Sequence, residues 1–108
     1  MKIKTSELTD LALDWAVSVA EQNVGWAPEG QDRDYYSSKW EHGGPIIERE
    51  GGTLWSTNSS GWRYKWPYNH ANDMEGPSMS GPTPLIAAMR CYVAAALGDE
   101  VDVPEELV

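Results

Sequence analysis

The sequence predicts an α+β fold, a small antiparallel sheet of three to four strands packed against two helices. Three stretches carry that prediction. Pro84-Leu85-Ile86-Ala87-Ala88-Met89-Arg90-Cys91-Tyr92-Val93-Ala94-Ala95-Ala96-Leu97 is apolar nearly all round, and a helix of that kind is buried by other elements. Leu8, Ala12, Trp15 and Val19 recur at helical spacing, with Leu11, Ala16 and Ala20 widening the stripe. Trp62-Arg63-Tyr64-Lys65-Trp66 alternates strictly, with aromatics on one face and bases on the other, as a half-buried strand does. At 108 residues the chain reads as a single domain, 1–108, with a modest core.

The elements follow in order. Lys2-Ile3-Lys4 is a short edge strand, its two lysines discouraging further pairing. Thr9 is the expected N-cap of the first helix, and Asp10 suits its positive end. Leu8 and Leu13 form a hydrophobic staple across that cap. Asp14, Ser18, Glu21 and Gln22 are expected on the wet face, and Asn23 and Gly25 end the helix. Residues 25–45 read as one long loop closing on Gly43-Gly44-Pro45, which demands special backbone geometry. Loops of that length in small domains are usually functional or mobile.

Ile46-Ile47-Glu48-Arg49 is expected to be a strand, Gly51-Gly52 a turn, and Thr53-Leu54-Trp55-Ser56-Thr57 a second strand. Asn58-Ser59-Ser60-Gly61 then turns the chain into the alternating strand, which Pro67 ends. Residues 67–80 form a polar loop. The long helix carries both of its punctuation marks: Thr83 as N-cap, Pro84 at the first helical position and Gly98 at the end. Val101 and Val103 add a short extended segment before Pro104.

The net charge is −9, from 17 acids and 8 bases, which argues against direct nucleic-acid binding, since phosphates are neutralised by Lys and Arg. Asp99, Glu100, Asp102, Glu105 and Glu106 make an acidic C-terminal tail from about residue 99, read first as a solvated end and second as an acidic partner-binding or nucleic-acid-mimicking edge. No apolar run approaches the length of a membrane span, and no leader-like stretch opens the chain. The single Cys91 has no disulfide partner within the chain. A reducing, cytoplasmic setting without membrane attachment is therefore expected. Six Trp and five Tyr without a Phe exceed what so small a core holds, so some belong on a binding face or a homo-oligomer interface.

No catalytic constellation stands out. His42 and His70 lack the close partners of a metal site, although Glu41, Asp73 and Glu75 lie near in sequence, and no metal or cofactor is expected. Carboxylate pairs such as Asp32/Asp34 and Glu48/Glu50 are common in any acidic chain. Glu48 and Glu50 would share a strand face, yet acid–base work needs a pocket that shifts their pKa. Gly43-Gly44-Pro45 lacks the spacing and the Lys-Ser/Thr of a Walker loop. It reads as a tight loop or as a point of close backbone approach to a ligand, and Gly81-Pro82-Thr83-Pro84 admits the same two readings. Trp62-Arg63-Tyr64-Lys65-Trp66 either packs its aromatics on the helices or stacks them on a planar ligand. Arg90, on an otherwise apolar helix, requires a carboxylate or a ligand anion.

Taken together, Met1-Lys2-Ile3-Lys4-Thr5-Ser6-Glu7-Leu8-Thr9, Leu13-Asp14-Trp15-Ala16-Val17, Trp40 with Gly43-Gly44-Pro45-Ile46-Ile47-Glu48, and Gly81-Pro82-Thr83-Pro84-Leu85-Ile86-Ala87-Ala88-Met89-Arg90 through Leu97-Gly98-Asp99-Glu100-Val101 resemble the phage NinX family. The resemblance spans essentially the whole chain and is loosest from Gly51 to Ser80. It implies a bacteriophage accessory protein made in the bacterial cytoplasm, and it brings no catalytic residues to carry over. Joined to the residues, it gives three expectations. The first is a non-enzymatic protein that binds, and sequesters, a small anionic, nucleotide-like ligand such as a host defence signal. Trp40 would stack on the base, Gly43, Gly44 and Pro45 would shape the pocket, Thr83 would contact phosphate and Arg90 would pair its charge. The second is an acidic inhibitor of a host enzyme or DNA-binding protein. The third is a nucleotide hydrolase working through Glu48, Glu50 or His42.

Overall fold

A computed structural model describes residues 1–30, 33–57, 61–67 and 76–108. The expected turn at 58–60 and the side chains of Asp32, His70, Asp73 and Glu75 lie outside the described residues. The element order is β1 (Lys2–Lys4), α1 (Asp10–Ala20), α2 (Trp40–Glu50), β2 (Thr53–Thr57), β3 (Gly61–Lys65), β4 (Ser78–Gly81), α3 (Pro84–Leu97) and β5 (Glu100–Asp102), with 3-10 turns at Thr5–Glu7 and Glu105–Leu107. The class is α+β, as the sequence predicts. Its composition differs: the described residues form three helices and two antiparallel sheets, one of order β1-β5 and one of order β2-β3-β4.

Helix α3 is the shared element. It contacts all three strands of the larger sheet, both other helices, the first 3-10 turn and β5. Leu85, Ala87, Ala88, Met89, Cys91 and Val93 are almost wholly excluded from solvent. Thr83 caps the helix as expected, its hydroxyl accepting from the Ile86 N–H at 3.1 Å. Pro84 follows at the first turn, and Gly98 ends the helix with φ 96°. Burial pushes the Cys91 thiol up to about 12, which keeps it a neutral core group.

Helix α1 begins after Thr9, but the Thr9 side chain makes no capping bond, and Asp10 takes φ 49°. Leu8 and Leu13, the two halves of the staple, are both buried. At the other end Gln22 adopts φ 59°, with the Asn23 N–H returning to the Ser18 carbonyl at 2.8 Å and the Gln22 N–H to Val19 at 3.0 Å, a Schellman arrangement without glycine. Two expectations for this helix fail. Asp14 and Ser18 are buried rather than wet, and Val19 is exposed rather than part of the apolar face. The reason is tertiary: the segment leading into α2 folds over the Asp14 side of the helix.

The largest departure lies at 40–50. The expected loop end Gly43-Gly44-Pro45 and the expected strand Ile46-Ile47-Glu48-Arg49 are a single helix. Pro45 stands inside it, which removes one intrahelical bond and costs about 3 kcal/mol in an isolated helix. Packing offsets that cost. Gly43 and Ile46 are buried and Ile47 packs on the core, the i, i+3, i+4 face of an amphipathic helix. A Cβ at Gly43 would come within 2.7 Å of Leu85 Cδ1 and would also strike the Tyr36 carbonyl. Gly43 is therefore where α2 and α3 approach closely, and its backbone is helical rather than turned.

In the larger sheet, Leu54 pairs with Tyr64, Tyr64 with Met79, and Trp55 with Arg63. Leu54, Tyr64 and Met79 face the core, and Trp55, Arg63 and Ser80 form a row on the opposite face. Of the two readings of the alternating strand, the one that packs its aromatics on the helices agrees with this burial. Trp66 falls just beyond β3 and packs against Tyr92 of α3 with the rings tilted and their centroids 5.6 Å apart. Strand β4 lies within the segment expected to be loop. The acidic C-terminal segment is also more than a solvated end. Val101 and Val103 are buried, and the Met1 amino group bonds Asp102 Oδ1 at 2.8 Å and the Val103 carbonyl at 2.9 Å.

Candidate functional site

The three helix N-termini meet at one groove. It has a volume of about 290 Å³ and is lined by Asp10 at the start of α1, Ser37, Ser38 and Trp40 at the start of α2, and Thr83 to Ile86 at the start of α3. The starts of α1 and α2 present N–H groups, and α3, where Pro84 has no N–H and Thr83 takes that of Ile86, adds the positive end of its dipole, so their convergence favours an acceptor or an anion. Trp40 stands at the groove 53 % exposed, an indole surface open for stacking. Among the described residues Asp10 is the only charged side chain lining the groove, and it opposes an anion there.

Of the six residues singled out from the sequence, Trp40 and Thr83 line this groove. Gly43 supports it from beneath by admitting Leu85. Gly44 lies beside Trp40, its Cβ position 3.6 Å from the Trp40 ring. Pro45 follows Gly44 directly in α2 and is not among the lining residues. Arg90 is elsewhere. Its Nε donates to the Leu8 carbonyl at 2.8 Å and its Nη1 to the Ser80 carbonyl at 2.9 Å. The expected carboxylate is thus replaced by two backbone acceptors that tie the start of α1 and strand β4 to α3. Burial holds the Arg90 pKa below its ordinary value.

The approach to the groove is fixed by a polar network invisible in the sequence pattern. Asp14, 1 % exposed, accepts from Arg33 Nη2 and from the Ser37 N–H, each at 2.8 Å. Arg33 also stacks over Tyr35 at 4.3 Å and Trp26 at 5.6 Å. Asn23 and the Tyr36 hydroxyl both donate to Asp34 Oδ2, at 2.9 and 3.1 Å, and the Trp26 indole donates to the Asp34 carbonyl at 3.0 Å. His42 Nδ1 accepts from the Tyr35 N–H at 2.7 Å, and its ring stacks on Tyr35. That bond commits His42 to holding the chain. An Asp and an Arg nineteen positions apart give no local signal, because only the folded loop brings them together.

A second polar cluster joins the helix ends. Arg49 forks onto Glu21 at 3.1 and 2.7 Å, and the Tyr92 hydroxyl also donates to Glu21. The Arg49 guanidinium holds the Glu21 carboxyl below its ordinary value. Burial, with the Glu21 bond and charge, pushes Tyr92 up to about 12. Glu48 and Glu50 do not share a strand face, since both ride on α2, where residues two apart point in different directions. A larger groove of about 540 Å³ lies between Trp15, Val19, Val24 and Trp26 and contains none of the residues singled out from the sequence. Its rim carries Val24, 99 % exposed.

No helix of the described residues is long and apolar enough to cross a membrane. No curated protein sequence matches the chain. The profile of the family described as Bacteriophage P22, NinX matches residues 4–96, from β1 through nearly all of α3 and so across all three helix starts of the groove. The chain belongs to the bacteriophage P22 NinX family.

Proposed function

We propose that this phage protein is a non-enzymatic binding protein that holds a small anionic, nucleotide-like ligand, and that it serves by sequestering such a molecule in the infected host. The observation that carries the reading is the meeting of three helix N-termini beside the exposed Trp40. In this arrangement phosphate oxygens face backbone N–H groups at the starts of α1 and α2 and the positive end of the α3 dipole, and a base stacks on Trp40. Thr83 sets the geometry of the α3 start through its cap. Arg90 acts from behind as a clasp on the backbone and makes no ligand contact.

A thermal-shift panel of cyclic, linear and ADP-ribose-type nucleotides tests the proposal. A ligand at a hundred-fold excess over its Kd stabilises the fold by about 2.7 kcal/mol, a shift of several degrees. The ligand should return unchanged after denaturation, and Trp40→Ala should abolish the shift. Asp10→Asn should tighten binding, because it removes the opposing charge of Asp10 from the groove. No shift across the panel defeats the reading, and recovery of an altered nucleotide replaces it with hydrolysis.

The second reading, a protein inhibitor, draws on the Trp15–Val24–Trp26 groove with its exposed Val24 and Val19. Truncation after Gly98 would dismantle the β1-β5 sheet, so its acidic-segment version is tested by Glu→Gln changes at Glu105 and Glu106. Unchanged capture of a host protein by that variant would exclude the acidic segment as the binding edge.

A further inference from the structure

The larger sheet ends on β2, whose strand partner among the described residues is β3 alone. The other sheet edges are guarded. Strand β4 lies against α3, and its Ser80 carbonyl is taken by Arg90. Strands β1 and β5 carry Lys2, Lys4, Glu100 and Asp102, charges that discourage further pairing. Strand β2 reads Thr53-Leu54-Trp55-Ser56-Thr57, without charge, proline or a bulge in its register with β3. Its β-branched and aromatic residues favour extended backbone, and an edge of this kind is a template for another strand. Thr53, Trp55 and Ser56 are exposed, Trp55 by 39 %.

We infer that β2 pairs antiparallel with β2 of a second copy of this chain about a two-fold axis, joining two three-stranded sheets into one of six strands. The charge distribution selects a second copy as the occupant. The chain carries −9 overall, yet this edge is uncharged, and the acids of residues 99–106 lie in and beside the other sheet. Two copies therefore meet here without opposing like charges. A two-fold pairing is also self-complementary, so no second sequence is needed. Trp55 is the middle residue, and the pairing of greatest overlap sets it opposite Trp55 of the second copy. An aromatic pair across two strands is favourable, and it covers an indole otherwise left in water.

Native mass spectrometry at micromolar concentration should give twice the 12.0 kDa of the chain. Trp55→Lys sets two ammonium groups opposite each other and should give a monomer, as should Trp55→Glu. Far-UV circular dichroism checks that both variants are folded. Mixing them should restore a dimer containing one chain of each, because Lys then faces Glu. Trp55→Cys supplies a variant that adds no charge, and it should oxidise to a disulfide-linked dimer that the wild type, with Cys91 buried, does not form. A monomeric wild type, a folded Trp55→Lys that remains dimeric, a Lys/Glu mixture that stays monomeric, or a Trp55→Cys protein that does not cross-link would each overturn the inference.

Discussion

Helices α3 and α2 each contain a proline close behind a glycine, and the two segments are built on opposite principles. In α3 the proline stands at the first turn, after a threonine that caps, and the helix is favoured by its own sequence. In α2 the proline stands in the interior, no side chain caps the start, and two glycines precede it. Helix α2 exists because of what it touches: Leu85 and the Tyr36 carbonyl at Gly43, the core at Ile46, and Glu21 with Tyr92 at Arg49. Gly and Pro mark a boundary only when the surrounding contacts leave them one. Where a close approach rewards a missing Cβ, the same residues run through a helix.

The contrast can be broken at several points. The largest effect is expected at Asp14, far from α2 in sequence but an anchor of the segment that leads into it. Asp14→Asn leaves the Arg33 guanidinium without its carboxylate and should cost about 3 kcal/mol or more, read by chemical denaturation. Amide exchange should then rise more across 33–50 than across 84–97. Gly43→Ala comes next. Helix propensity alone awards it a gain of about 1 kcal/mol, whereas the close approach to Leu85 predicts a loss of about 1–3 kcal/mol. A more stable Gly43→Ala protein would show that α2 and α3 are not packed as described.

Thr83→Ala tests the opposite case, a helix held by its own cap, and should cost about 1 kcal/mol in a thermal melt. Gly44→Ala is the control for its neighbour. Its Cβ would meet the Trp40 ring at ordinary contact distance, but it would also stand directly before Pro45, where a Cβ disfavours helical backbone, so the gain of about 0.5–1 kcal/mol from helix propensity is offset and the substitution should be near neutral. The smallest effect is that of pH on the α1–α2 tie. Arg49 lowers the folded-state pKa of Glu21 below 4.5, so that stabilisation is present above pH 4.5 and lost as pH falls through the lowered value. Arg49 is half exposed, so solvent screens the pair and the acid limb of the stability curve should be shallow. Glu21→Gln should flatten that limb, and an unchanged acid profile would remove Glu21 from the account.

Trp40 and Thr83 of the candidate groove were legible because aromatic excess and capping chemistry are local signals. Asp10 and the two serines were not, since their role depends on where the segment before α2 lies. Arg90 was legible as an oddity on an apolar rod, but its partners are backbone carbonyls, which carry no sequence signature. Asp14 reads as a surface residue on a helical wheel. It becomes a buried anchor only once Arg33 arrives from outside that helix.

The sequence by itself determined α3, with its cap, its terminal glycine and its burial, and likewise the β2 and β3 strands, the staple at α1 and the pairing potential of Lys2–Lys4. These depend on periodicity and end chemistry, which act over a few residues. The tertiary structure alone decided that residues 40–50 are helical, that the described strands form two sheets, and that the starts of α1, α2 and α3 face one groove. Each of those outcomes rests on contacts between residues far apart in the chain, whose packing outweighs a local preference of about 3 kcal/mol at Pro45.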